Sequence, residues 1–241
     1  MQLDPYPIPA RILIIAAHPD DIEFGAAGSV AVWTAAGAEV HYCIVTNGAA
    51  GSNAIDYDHD TLVQQRIVEQ NEAAALLGVQ HVHYLGYADG MLQPTLELRR
   101  DLTRLIRQVK PNRVLIMDPT TRMIGEGEFF YINHPDHVAT GEASLYAVFP
   151  SAETRPIFPE LLAEGHEPHH VDELYLMIAA NADVAVDITP HVALKKQALL
   201  CHRSQLSEGD LGFIGQFDGM AGAQVGVAFA ETYRVMRFMR G

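Results

Sequence analysis

His18, Asp20 and Asp21 stand within four residues of one another, directly after the apolar run Ile12 to Ala17, and a second His-Pro-Asp tripeptide begins at His134. Imidazole nitrogen and carboxylate oxygen are the donors that zinc accepts when thiolates are lacking. One Asp after a strand would be explained by helix capping, with Pro19 leading into the first turn. A His with two Asp supplies more capping groups than one helix start uses. In HPDH, His134 and His137 are three apart and share one face if a helix begins inside the motif. His18 and Asp21 from the first motif and His137 from the second then make three ligands and leave a fourth position for water. Cys43 and Cys201 are the only cysteines and belong to no spaced ligand pattern, so any metal must use His and carboxylates.

These residues need elements that bring them together. Ile12 to Ala17 is rich in β-branched residues and reads as a strand buried on both faces, as in parallel α/β sheets. His18 then lies at the carboxyl end, where open α/β sheets bind ligands. Phe24 to Ala36 reads as a helix against the sheet, and Val40 to Thr46 as the second strand, with Asn47, Gly48, Gly51 and Ser52 in the loop at its carboxyl end. No GxGxxG or GxxxxGK[ST] occurs, so the layout implies no nucleotide. DYDHD, Asp56 to Asp60, reads as an exposed acidic loop before a helix from Leu62 to Leu77 that Gly78 closes. Arg66 and Glu69 lie three apart on its polar side.

Val82 to Leu85 is a third strand, flanked by His81 and His83, which read as packing or solvent-facing side chains and not as ligands. The Asp89-Gly90 pair marks a turn at that strand's exit. Glu97 to Val109 has helical spacing and stops before Pro111, and Arg113 to Met117 is the fourth strand. The loop Thr120 to Asn133 is long for a compact domain, which marks it as functional. Beyond Ala147 the chain turns irregular over residues 149–172, and His166, His169 and His170 read as surface histidines. Glu173 to Ile178 and Val184 to Ile188 are two more strands, and Pro190 to Leu200 is a helix. Phe213 to Gly226, with four glycines, reads as a mobile loop, and the final VAFAETYRVMRF as a strand or a helix.

The formal net charge is −14, from 30 acids against 16 Lys and Arg, which argues against nucleic acid or an anionic membrane surface as partner. No apolar run approaches the roughly 18 residues of a membrane span, and the N-terminus lacks a basic region before its short apolar run, so no signal peptide is expected. Two isolated cysteines fit a cytoplasmic protein. The expected architecture is α/β: one Rossmann-like domain over residues 1–241, a three-layer sandwich with a mostly parallel sheet.

At AHPDD (Ala17 to Asp21), Thr46-Asn47-Gly48, Arg66 and Glu69 of an R-x-x-E helix, Asp89-Gly90, HPDH (134 to 137), VDIT (Val186 to Thr189) and HRSQ (His202 to Gln205), the sequence resembles the PIG-L/LmbE-like zinc-dependent de-N-acetylases. That family removes acetyl groups from N-acetylglucosamine units of lipids, thiol precursors, chitobiose and antibiotics. The resemblance implies that His18, Asp21 and His137 bind Zn(2+), that Asp20 is the general base and His134 the acid or electrophile, and that Asp136 orients His134. It places Arg66 and Asp89 on the substrate side, and it implies a homo-oligomer, trimer or hexamer. The commoner AHPDDE is broken here by Ile22, with the acid one place later at Glu23.

The chemistry is consistent with the residue types. An amide is a poor electrophile, so its hydrolysis at neutral pH needs an activated water, a polarised carbonyl and a proton for the leaving amine. A zinc ion supplies the first two, and Asp20 and His134 are suited to moving the protons. The same ligands accept iron(II), cobalt or manganese. The expected activity is removal of an N-acetyl group from an N-acetylglucosamine-type amino sugar or glycoconjugate. The rival readings are a metal-dependent amidase for a non-sugar or thiol-conjugate amide, and a non-catalytic metal binder.

Overall fold

Ile12 to Ala16 have no exposed surface, as a strand sandwiched between two helical layers requires. In the computed structural model, which describes residues 1–56, 58–126 and 129–238, they lie in β2 (Arg11–Ala16), preceded by the short β1 (Gln2–Leu3). There follow α1 (Asp21–Ala35), β3 (Glu39–Thr46), α2 (His59–Leu76), β4 (His81–Tyr87), α3 (Leu96–Val109) and β5 (Arg113–Met117). A hairpin of β6 (Met123–Glu126) and β7 (Phe129–Ile132) leads to α4 (Pro135–Tyr146) and the short α5 (Glu160–Ala163). The chain closes with β8 (Glu173–Met177), β9 (Val184–Asp187), α6 (Val192–Leu199), α7 (Leu211–Val225) and β10 (Ala230–Arg237).

Eight strands form one sheet in the order β1-β9-β10-β8-β5-β2-β3-β4. β2, β3, β4, β5 and β8 are parallel, and β10 runs antiparallel to both of its neighbours. Alternate side chains of β2 feed two cores. Ile12 and Ile14 pack with Trp33 of α1, Tyr42 and Ala73, whereas Leu13 and Ile15 pack with Leu98, Leu102 and Ile106 of α3 and Ala143 of α4. This is the expected Rossmann-like three-layer α/β arrangement. The chain winds outward from β2 to β4 and then returns to β5 on the other side of β2. The order therefore reverses between β2 and β5, and ligands of open α/β sheets bind at the carboxyl ends of such a reversal.

Two readings of the sequence are corrected, those of residues 120–133 and 213–226. Residues 120–133 hold the β6–β7 hairpin. The 149–172 excursion is pinned from within, since the buried Arg107 donates to the carbonyls of Ser151, Ala152, Thr154 and Ile157. Residues 213–225 lie in α7 (Leu211–Val225) and not in a mobile loop. One of its glycines serves close approach: a Cβ on Gly222 would lie 2.7 Å from the Val227 carbonyl oxygen. Gly226, at φ +79, turns the chain out of the helix and back toward β10. The final segment is a strand. Tyr57 of the acidic DYDHD segment, and Gly127 and Glu128 of the long loop, lie outside the described residues.

Candidate metal centre

α1 begins at Asp21 itself, three residues earlier than the apolar pattern suggests, so the first motif sits on the turn between β2 and the helix start. α4 begins at Pro135 with His134 as its N-cap, which puts His137 in the first turn. Gly141 lets α4 come this close to the sheet, since a Cβ there would lie 2.3 Å from the Met117 carbonyl oxygen at the end of β5. The two motifs meet across the gap between β2 and β5.

The ligand-type atoms of three residues lie close together. His18 Nδ1 lies 3.2 Å from His137 Nε2 and 3.3 Å from an Asp21 oxygen, and His137 Nε2 lies 3.1 Å from the other Asp21 oxygen. Ligands at 2.0–2.1 Å around a tetrahedral zinc ion are separated by about 3.3 Å, so the donor set and its spacing fit such a cation. All three residues are buried. Each ligand is oriented from behind, as metal ligands generally are. His18 Nε2 lies 3.1 Å from Asp89 and 3.3 Å from Asp136, His137 Nδ1 lies 2.9 Å from Asn133 Oδ1, and Asp21 Oδ2 accepts the His18 backbone N–H at 2.7 Å. Burial alone would lower the His18 pKa, but the charge of Asp21 and the contacts with Asp136 and Asp89 carry it up to about 12 in the metal-free site. Burial would raise the Asp21 carboxyl, and the facing His137 and His18 instead hold it well below the usual carboxylate range. A site that holds a proton this tightly has the negative potential a divalent cation needs.

Asp20 adopts φ 100, a left-handed value that costs a non-glycine residue of order 1–3 kcal/mol. Its surroundings hold it there. The Asp20 N–H donates to Gln70 Oε1 at 3.0 Å, and Arg66 reaches an Asp20 oxygen at 3.0 Å and the Pro19 carbonyl at 2.6 Å. Burial pushes the Asp20 carboxyl up to about 6 against the pull of Arg66. His134 Nδ1 accepts the Asp136 backbone N–H, so the neutral ring carries its proton on Nε2 and is a hydrogen-bond donor there. Burial, and then the neighbouring His18, keep the His134 pKa below its ordinary value.

Three residues of the expected site have further partners. The Asp136 carboxylate does not orient His134: it is spent on His18 and on the backbone amides of Gly90 and Leu92, at 2.7 and 3.2 Å. Asp89 backs His18 and accepts from Ala50 N. Arg66 is buried and joins the first-motif turn to the Gly48 carbonyl at 2.8 Å. Sequence reasoning missed Asn133 and Gln70, and the pairing of Glu23 with His202. Gln70 bridges Asp20 to Glu23, whose other partner is His202 Nε2 at 3.0 Å. Ser204 donates to Glu69 from both its backbone and its hydroxyl. The R-x-x-E helix and HRSQ thus form the frame behind the site. Only the sequence signal for Asn133, four residues before His137 on the same helix start, was available in advance. Among the described residues no metal-type group includes His166, His169 or His170.

The model of the PIG-L family, described as GlcNAc-PI de-N-acetylase, matches residues 13–148, which carry both motifs. The chain belongs to the PIG-L family. PIG-L relatives with characterised names include diacetylchitobiose deacetylase of Thermococcus kodakarensis, 30% identical over 207 residues that cover 85% of this chain and 73% of the relative. A probable N-acetyl-alpha-D-glucosaminyl L-malate deacetylase 2 of Bacillus subtilis is 30% identical, covering 83% of this chain and 85% of that one. The solved N,N'-diacetylchitobiose deacetylase of Pyrococcus horikoshii superposes with a TM-score of 0.87 at 29% identity, over 95% of this chain and 84% of that one. The PIG-L chain described above is accordingly an N-deacetylase, a hydrolase of the amide C–N bond. None of its described helices is long and apolar enough to cross a membrane.

Proposed function

We propose that this protein is a cytoplasmic, zinc-dependent hydrolase that removes the N-acetyl group from an N-acetylglucosamine-type amino sugar or glycoconjugate. The observation that carries the reading is the ligand group of His18, Asp21 and His137 beside an Asp20 held in a left-handed backbone by Arg66 and Gln70. When bound, a divalent ion polarises the amide carbonyl and brings the pKa of a water to about 7. Asp20, deprotonated above about pH 6, takes the proton of the attacking water. The Nε2–H of neutral His134 donates to the developing oxyanion, the role its N-cap bond to Asp136 N–H favours. Asp20 then holds the proton that the departing amine requires. The GlcNAc-type substrates of the relatives support the sugar class, and the two free cysteines support the reducing compartment. Assembly as a homo-oligomer belongs to the same reading, and the exposed Met123, Ile132, Tyr146 and Phe149 supply apolar surface for it.

The test is acetate release from N-acetylated amino sugars, with diacetylchitobiose and N-acetylglucosaminyl malate among them. Metal-stripped protein is compared with protein given zinc or iron(II) back, and His137→Ala is the control. Release that depends on the metal and disappears in the variant is expected. Stoichiometric zinc without release from any sugar would overturn the substrate class.

A further inference from the structure

The amino ends of β3 and β4, at the far end of these strands from His18, hold a second group of ligand-type side chains. Seven residues of β3 separate Glu39 from Thr46, about 23 Å along an extended chain. The parallel register sets His41 across from His81 and Cys43 across from His83, so Glu39, His41, His81 and His83 lie on one face at the sheet's end strand. One ligand atom each from Glu39, His41 and His81 lies within 4.8 Å of the other two. His41 is buried, whereas Glu39 and His81 are exposed.

The contacts are polar and directional, with donor atoms already close together. His41 Nε2 lies 2.9 Å from Glu39 Oε1, close to the separation of about 3.3 Å between two tetrahedral ligands. The His41 ring is stacked on that of His81 with centroids 4.4 Å apart and 14° between the planes, so the exposed His81 ring has to turn about its side-chain bonds for both nitrogens to face one ion. The second atoms of the ligands are already occupied. Arg11 Nε donates to Glu39 Oε2 at 2.8 Å, which leaves Oε1 turned toward His41. His41 Nδ1 lies 3.2 Å from His83 Nε2, so a His41 that gives up its Nε2 proton to a cation keeps one on Nδ1, donated to His83. Apolar packing explains none of these pairings.

We propose that Glu39, His41 and His81 form a second divalent-metal site, of the zinc type, with His83 and Arg11 as the outer partners that orient His41 and Glu39. Two imidazoles and one carboxylate, open to solvent on the Glu39 and His81 side, are a donor set for zinc and not for magnesium or calcium. One carboxylate offset by Arg11 gives less negative potential than the three around His18, so this site fills second. A cation there ties β4, the end strand, to β3 at its start.

The test is zinc titration of the metal-stripped full chain against a chromophoric chelator. Wild type is expected to take two ions, His81→Ala one, His137→Ala one, and the double variant none. His81 is exposed, so His81→Ala folds and releases acetate at the wild-type rate. His83→Ala in the His137→Ala chain keeps all three ligands and lowers zinc affinity roughly 10–100-fold. Zinc also raises the melting temperature of His137→Ala but not of the double variant. Equal zinc stoichiometry in His137→Ala with and without His81 would overturn the proposal.

Discussion

Asp136 lies 118 residues from His18 in the chain, yet its Oδ2 stands 3.3 Å from His18 Nε2 and also accepts the Gly90 N–H. The carboxylate couples a ligand after β2 to the loop after β4, from a position on α4. Its effect should therefore be on the metal. Asp136→Asn is expected to weaken zinc binding roughly 10–100-fold, with turnover restored at saturating zinc. Competition titration and acetate release measured over a range of zinc concentrations check this. Wild-type affinity with lost turnover at saturation would return Asp136 to the side of His134.

A base buried beside a guanidinium has a pH signature. The Asp20 carboxyl sits at about 6 because burial raises it and Arg66 opposes that rise, and a bound cation pulls it lower still. Deprotonated Asp20 is the active form, so kcat/KM should fall as pH drops through about 6 or below. Arg66→Gln removes the opposing charge and should move this acid limb to higher pH, lowering kcat with little change in KM, because the contacts of Arg66 are to Asp20, Pro19 and Gly48. Asp20→Asn should bind zinc and lose about 10²–10⁴-fold in kcat. A raised KM in Arg66→Gln, with the acid limb unmoved, would make Arg66 a substrate contact after all.

How far the chain could be read in advance follows from how local each signal is. The strands β2, β3 and β5 and the meeting of His18, Asp21 and His137 were legible because a buried strand and a His-Asp cluster each announce themselves within six residues. The partners behind the ligands were not. Asp136 was assigned to His134, its neighbour in sequence, whereas the sheet order brings it to His18. Glu23 looked like a displaced motif acid, and only the packing of α2 and the segment after α6 shows it held by Gln70 and His202. α7 was lost to composition: glycine weakens a helix in isolation, and here the contact of Gly222 with the returning chain outweighs that propensity. The pair His41 and His81 is likewise a product of strand register, 40 residues apart by their numbers.

Metal and proton compete for His18. Its pKa of about 12 in the metal-free site means that the ring is charged at neutral pH, and a cation must displace that proton. Zinc binding should release one proton from His18, and the apparent affinity should rise about tenfold per pH unit near neutrality. Calorimetry in buffers of different ionisation enthalpy measures the release. For the metal-stripped chain the sign is the opposite. The folded pKa lies above the unfolded 6.5, so the stability His18 contributes is complete below pH 6.5 and is lost as pH rises from there toward 12. An apo protein whose stability is flat from pH 7 to 10 would contradict this environment for His18.

The close seating of α4 on β5 is the last requirement, because it carries His137 to His18. Gly141→Ala would force a Cβ to within 2.3 Å of the Met117 carbonyl oxygen, a backbone atom that cannot swing away. The helix has to lift, at a cost of about 1–3 kcal/mol, and its first turn moves with it. Both melting temperature and zinc affinity should fall. Gly222→Ala is the matched control, since its Cβ also meets backbone, at 2.7 Å from the Val227 carbonyl, but in the contact between α7 and the chain entering β10. That variant should lose stability and keep its zinc affinity. If both variants lose stability and neither loses zinc, the position of His137 does not depend on how α4 is seated, and the first turn alone holds the ligand.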